Sequence, residues 1–126
     1  MINFLNIISN NTSYVGWGNT NLTAGYQVGS QNVYLSSGTE LQIGLAWLAS
    51  ATLSGNNVYL TNYDLYLYDS YGALVASSTL TNSSVELIRY TATTAGTYTM
   101  VVYQSGSKTS TIGAETIYLT YQRIYS

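Results

Sequence analysis

The strongest constraint on this chain is the alternation of strand-forming residues with polar ones. Tyr, Thr, Val, Ile and Leu recur at a period of two in runs of five to ten residues, and Gly, Asn and Ser clusters separate the runs. A period of two sends successive side chains to opposite faces, so each run reads as a strand with one face to bury and one to keep wet. In LQIGLAW, Leu41, Ile43, Leu45 and Trp47 share a face. In YDLYLYD, Leu65 and Leu67 share one, leaving Asp64, Tyr66 and Tyr68 opposite.

The spacing predicts nine strands, over residues 2–9, 13–17, 25–35, 40–49, 57–68, 73–79, 84–92, 96–104 and 114–124. Turn chemistry lies between them in SSGT (36–39), SGNN (54–57), DSYG (69–72), TTAG (93–96) and QSGSK (104–108). Short strands with one mainly apolar face each imply an all-β fold, an antiparallel two-sheet sandwich. With 126 residues, no composition shift and no internal repeat, a single domain over 1–126 is expected. Proline is absent, so sheet edges must be guarded by bulges, short strands or pairing with another chain.

Charge is scarce. Arg89, Lys108 and Arg123 face Glu40, Asp64, Asp69, Glu86 and Glu115, for a net charge of −2. Three scattered cations do not neutralise a phosphate backbone, so nucleic acid is not an expected partner. Without Cys there is neither a disulfide framework nor a thiolate metal site. The first nine residues, MINFLNIIS, are too short to span a bilayer and lack the basic region and small-residue cleavage site of a signal peptide, so no membrane insertion is expected.

The candidate chemistry is thin. Serines are many, but with no His and no Cys the only unusual base is Lys108, in a glycine-flanked turn, and no catalytic residue, cofactor or metal is expected. Asp64 and Asp69 lie five residues apart on one strand and its turn, roughly 15 Å at about 3.3 Å per residue. Glycosidase carboxylates need about 5 to 9.5 Å. Asp69 suits the head of a turn closed by Gly72, Asp64 suits a tether to a neighbouring loop, and Glu86 and Arg89 suit a polar contact with one another. Trp47 is expected in the core. Asn10, Asn11, Asn21 and Asn82 head Asn-x-Ser/Thr sequons and are candidate glycosylation sites.

Fourteen tyrosines are the compositional anomaly. Tyr packs its ring on a pleated surface while its hydroxyl stays wet, and this accounts for most of them. An outward subset, Tyr59, Tyr63, Tyr66, Tyr68 and Tyr103, is expected to form a contact surface, because Tyr offers large area at low entropic cost.

The ordered set LQIGLAWLA (41–49), NYDLYLYDSYGALVASS (62–78), SVELIRYTATTAGTYTMVVY (84–103) and IYLTYQ (117–122) resembles the bacterial and archaeal prepeptidase C-terminal domain. That family is related to the collagen-binding domains of collagenases. Its strand of L-x-L-x-W type falls on Ile43 to Trp47, and its D-L-x-L-x-D-x-x-G strand and turn fall on Asp64 to Gly72. Its acidic residue before an apolar one falls on Glu86 with Ile88 and Tyr90, its G-T-Y-x-x-x-V on Gly96 to Val102, and its last strand on Ile117 to Tyr121. The resemblance covers residues 40–122 and is weak over 1–35. It implies a jelly-roll-like sandwich that recognises or assembles and does no chemistry. Some relatives bind calcium through acidic residues near the N-terminal linker; no acidic residue precedes Glu40 here, so that site is expected to be absent.

Two non-catalytic roles follow, the first expected and the second its alternative. One is a structural subunit of an extracellular assembly, a surface filament or virion coat, whose partners are copies of itself or another surface protein. The other is an accessory module of a secreted peptidase or other hydrolase that binds glycan or protein. The first draws on the apolar N-terminal run, which could add to a neighbour's sheet; an aromatic strip beside Asn and Asp would favour the second. Either role places the chain outside the cell or on a particle surface. The scarcity of charge predicts acid tolerance: protonating all five carboxylates takes the net charge only from −2 to +3. Thermal melts at about pH 7 and about pH 3 should therefore differ little, and a sharp fall in Tm would refute this.

Overall fold

The computed structural model describes residues 12–19, 25–47, 52–54, 57–59, 62–79, 85–105 and 115–124. These form ten strands: β1 (Thr12–Asn19), β2 (Tyr26–Leu35), β3 (Glu40–Trp47), β4 (Thr52–Ser54), β5 (Asn57–Tyr59), β6 (Tyr63–Tyr68), β7 (Leu74–Ser78), β8 (Val85–Thr91), β9 (Gly96–Gln104) and β10 (Glu115–Ile124). None of them is a helix, and so no described helix is long and apolar enough to cross a membrane. The first sheet has the order β1-β10-β3-β8, the second β2-β9-β6-β7, and every pairing is antiparallel. Strands β1, β2, β3 and β6 alternate between the sheets, as do β7, β8, β9 and β10. This winding is a jelly roll.

Alternation explains which residues meet between the sheets. Leu41, Ile43, Leu45 and Trp47 of β3, Ile88 of β8 and Ile117 and Leu119 of β10 face Val33 and Leu35 of β2, Tyr63, Leu65 and Leu67 of β6, and Tyr98, Met100 and Val102 of β9. These side chains are buried and form one core. Trp47 meets Tyr63 edge-on, with ring centroids 5.0 Å apart and planes at 79°, a favoured aromatic geometry.

Residues 57–68 do not form one strand. β5 pairs with β4 in a separate two-stranded hairpin, from Thr52↔Tyr59 to Ser54↔Asn57, and β6 enters the second sheet. Three residues of alternation at Thr52–Ser54 are too few to be told from loop by periodicity. The expected strand over 2–9 lies outside the described residues.

The edges of the second sheet answer the absence of proline. Its outer strands, β2 and β7, both shift register, between Gln27 and Gly29 and opposite Leu67 and Tyr68. A bulge twists an edge away from an incoming strand and re-aims the neighbouring side chains. The DSYG turn joins β6 to β7: Asp69 Oδ1 accepts from the amides of Tyr71 and Ala73, each at 2.9 Å, and Gly72 adopts φ +81°. Such a φ is open to Gly at no steric cost.

The β2 bulge also fixes how the sheets close at that side. The Trp17 indole of β1 packs against Gly29, so a Cβ added there would stand 2.3 Å from the ring. Gly29→Ala should therefore displace Trp17 and lower stability by about 1–3 kcal/mol, the usual cost of overpacking. Urea titration followed by tryptophan fluorescence measures both effects, and an unchanged midpoint and spectrum would show that the contact is dispensable.

Candidate functional site

The outward face of the second sheet carries the tyrosines, and strand register sets their positions. Three rows cross it: Gln27, Tyr103 and Asp64; then Ser30, Val101, Tyr66 and Ser77; then Asn32, Thr99, Tyr68 and Leu74. Tyr66 and Tyr68 stand two apart on β6, and Tyr103 stands diagonally across from Tyr66 on β9. Between them lies an open groove of about 530 Å³ lined by Gln27, Tyr66, Tyr68, Val101 and Tyr103.

The rings are not coplanar. Tyr66 and Tyr68 have centroids 6.5 Å apart with planes at 37°, and Tyr66 and Tyr103 have centroids 6.4 Å apart with planes at 74°. Thus Tyr103 meets Tyr66 nearly edge-on, and the cluster makes walls as well as a floor. Next to them, the Thr99 hydroxyl donates to Asn32 Oδ1 at 2.9 Å.

Asp64 stands two residues before Tyr66 on β6, opposite Tyr103. It lies on the outward face, yet only 5% of it is exposed. Its Oδ2 accepts from the Tyr66 hydroxyl at 3.3 Å, while its Oδ1 has no hydrogen-bond partner among the described residues. Asn62 Oδ1, two residues earlier, is likewise buried without a described partner, although the Asn62 carbonyl accepts from the Ser105 amide at 2.9 Å. Among the described residues, the bond that Asp64 makes is one within β6, to Tyr66. Burial, and then the negative charge and hydrogen bond of Asp64, push the Tyr66 hydroxyl above its ordinary pKa.

Tyr63 does not join this surface. It is in phase with Leu65 and Leu67, is fully buried, and packs on Trp47. The same alternation that turned Tyr66 outward turned Tyr63 inward. Tyr59 stands in β5, outside the second sheet, and its side chain lies outside the described residues. Asn10, Asn11, Asn21 and Asn82, and the lone Lys108, also lie outside them.

Glu40, Glu86 and Asp69 make their contacts away from the groove. Glu86 and Arg89 point to opposite faces of β8 and do not meet: Arg89 pairs with Glu40 across the sheet at 2.9 Å, on an exposed face. Glu86 is fully buried and accepts from the Ser78 hydroxyl of β7, joining the two sheets. Asp69 stands in its turn and takes no part in the groove. Among the described residues, no three acidic side chains converge on one point.

Comparison with protein-family profiles finds no match, and neither does comparison with curated sequences. Solved structures do match. The chain is similar to the pre-peptidase C-terminal domain of a collagenase from Bacillus anthracis, with a TM-score of 0.56 and 14% identity, over 88% of this chain and 89% of that one. At that identity the likeness is one of fold. Looser likenesses, too weak to argue from, join it to a glycosylation-associated protein complex from Streptococcus agalactiae (TM-score 0.46, 14% identity, 92% of this chain and 40% of that one) and to the capsid of a Helicobacter pylori bacteriophage (TM-score 0.39, 11% identity, 91% and 89%).

Two tyrosines should register in alkaline solution. Burial, together with the neighbouring Tyr90, also raises Tyr98, whose hydroxyl donates to the Thr94 carbonyl at 2.7 Å. A hydroxyl whose folded pKa is raised contributes stability that is fully present below the ordinary value near 10.0 and is lost as pH rises through the raised one. Thermal melts across that window should fall, and Tyr98→Phe should flatten the fall. An unchanged slope in the variant would remove Tyr98 as a cause.

Proposed function

We propose that this chain is a non-catalytic recognition module that acts outside the cell or on a particle surface and binds an extended ligand across the outward face of its second sheet. One observation carries the reading: Tyr66, Tyr68 and Tyr103 converge on an open groove on a sheet face that no described element covers. Aromatic residues set on rigid strands give binding energy at little conformational cost. The fold shared with a pre-peptidase C-terminal domain supports a role beside another protein's activity. So does the chain's chemistry, with no His or Cys to activate its serines.

A second reading, assembly from copies of this chain, draws on the outward face of the first sheet. Tyr14, Tyr118, Val85 and Leu87 are exposed there, and Tyr118 and Leu87 lie beside Gly16 and Gly44. Apart from the Glu40–Arg89 pair, the described strands bring no charged side chain to that face. The groove is the more specific feature, so recognition is the reading preferred.

The test has two arms. Binding to gelatin, an extended polypeptide, and to a soluble β-glucan is measured for the unaltered protein and for Tyr66→Ala and Tyr103→Ala. Each substitution should weaken whichever ligand binds by about tenfold, near 1.4 kcal/mol, with the thermal melt preserved because both rings point away from the core. Light scattering should return a monomer. A discrete oligomer with unaltered binding in both variants would favour assembly instead.

A further inference from the structure

We infer that the groove takes a chain of uncharged sugars laid along β6, its successive units resting against the Tyr66 and Tyr68 rings, and that it prefers a chain whose sugar planes turn from unit to unit over a flat one. This rests on the recognition reading above and names its ligand.

Charge is the first reason. In β2, β9, β6 and β7 the one charged residue is Asp64, and it is buried and does not line the groove. The lining is Tyr66, Tyr68, Tyr103, Gln27 and Val101, and register sets Ser30, Asn32, Thr99 and Ser77 around it. Such a face offers an ionic ligand no opposite charge, so an ion desolvated on it would go uncompensated. To a neutral, hydroxylated ligand it offers hydroxyls and amides that both donate and accept. The Tyr66 hydroxyl donates to Asp64 Oδ2 at 3.3 Å, which leaves its own oxygen to accept from a sugar hydroxyl.

Backbone pairing is the second. Extended polypeptides bind sheets by adding a strand to an open edge, but this groove lies over β9 and β6, and each of those is hydrogen-bonded to a neighbour on both sides. A polypeptide laid here would find no main-chain partners for its own amides and carbonyls. A sugar carries its polar groups around its rim and apolar C–H bonds on its ring faces. It can press a face on a tyrosine ring and still reach the hydroxyls and amides alongside.

Ring geometry supplies the preference. Tyr66 and Tyr68 stand two residues apart on β6, with centroids 6.5 Å apart and planes inclined at 37°. Coplanar rings would match the flat ribbon of a cellulose-type chain, whereas inclined rings match a laminarin-type glucan, which is helical and turns its sugars as it advances. Tyr103, nearly edge-on to Tyr66, adds a wall on the β9 side. Gln27 lies opposite Tyr103 on β2, and the bulge is what turns it outward: Gln27 pairs with Tyr103 while Gly29 pairs with Val102, so the extra residue, Val28, keeps the Gln27 amide in phase with the tyrosines.

The experiment titrates three soluble oligosaccharides of equal length into the full chain by calorimetry: a laminarin-type glucose oligomer, a cellulose-type one, and an oligogalacturonate whose every unit carries a carboxylate. The laminarin-type oligomer should bind at least about tenfold more tightly than either of the others, and added salt should leave its affinity unchanged. A smaller preference, a marked salt dependence, or no binding of any oligomer overturns the inference, and these comparisons use the unaltered protein, so they do not depend on how any variant folds. Tyr68→Ala should weaken the laminarin-type oligomer by about tenfold; unchanged affinity in that variant, with a native melt, overturns the inference too. If gelatin alone binds and Tyr66→Ala or Tyr103→Ala weakens it, the glycan assignment falls while the recognition reading stands. If those two variants bind every ligand as the unaltered protein does, both fall.

Discussion

The pairing of β6 with β9 at the centre of the second sheet is the constraint on which the rest depends. Leu65↔Val102 and Leu67↔Met100 place four apolar side chains on the inner face, and the same register places Asp64, Tyr66, Tyr68, Val101 and Tyr103 on the outer one. Because the side-chain period is two, a slip of one residue would exchange those sets and send tyrosines and a carboxylate into the core. Core and surface are thus one specification. The energy that buries Leu65 and Leu67 is also what orients Tyr66 and Tyr68.

Polar groups inside the sandwich follow the same economy. Glu86 and Ser78 tie β8 to β7 across the sheets, while the Ser36 to Thr39 turn extends the β3–β8 pairing within the first sheet, with the Gly38 amide on the Ala92 carbonyl and the Ala92 amide on the Thr39 carbonyl. Asp64, Asn62 and Trp47 are exceptions, because each leaves a buried polar atom without a partner among the described residues. Buried polar atoms left without partners are rare in folded chains, and where they occur a functional reason is worth seeking.

Much of the architecture was legible in the residues. The boundaries of β2, β3, β8, β9 and β10 fall close to the runs of alternation, and the DSYG turn forms with Asp69 and Gly72 in the roles their chemistry implies. Local signals are weak where the run of alternation is short. Three residues of β4 give no readable alternation, and Tyr63, expected outward, shares the parity of the buried Leu65. Glu86 and Arg89, expected to meet, stand three apart, and residues three apart on a strand face opposite ways.

By itself, the sequence determined the class of the fold, the inward face of each long strand and the shortage of catalytic groups, because alternation, turn residues and composition are local properties. Only the tertiary structure decided that Tyr103 stands diagonally across from Tyr66, that Gln27 joins them through a bulge, and that Asp64 is buried beside them. Those are facts of register between strands some forty to eighty residues apart in sequence. No local pattern encodes such distances. They arise when two sheets close over one core and the outer faces follow.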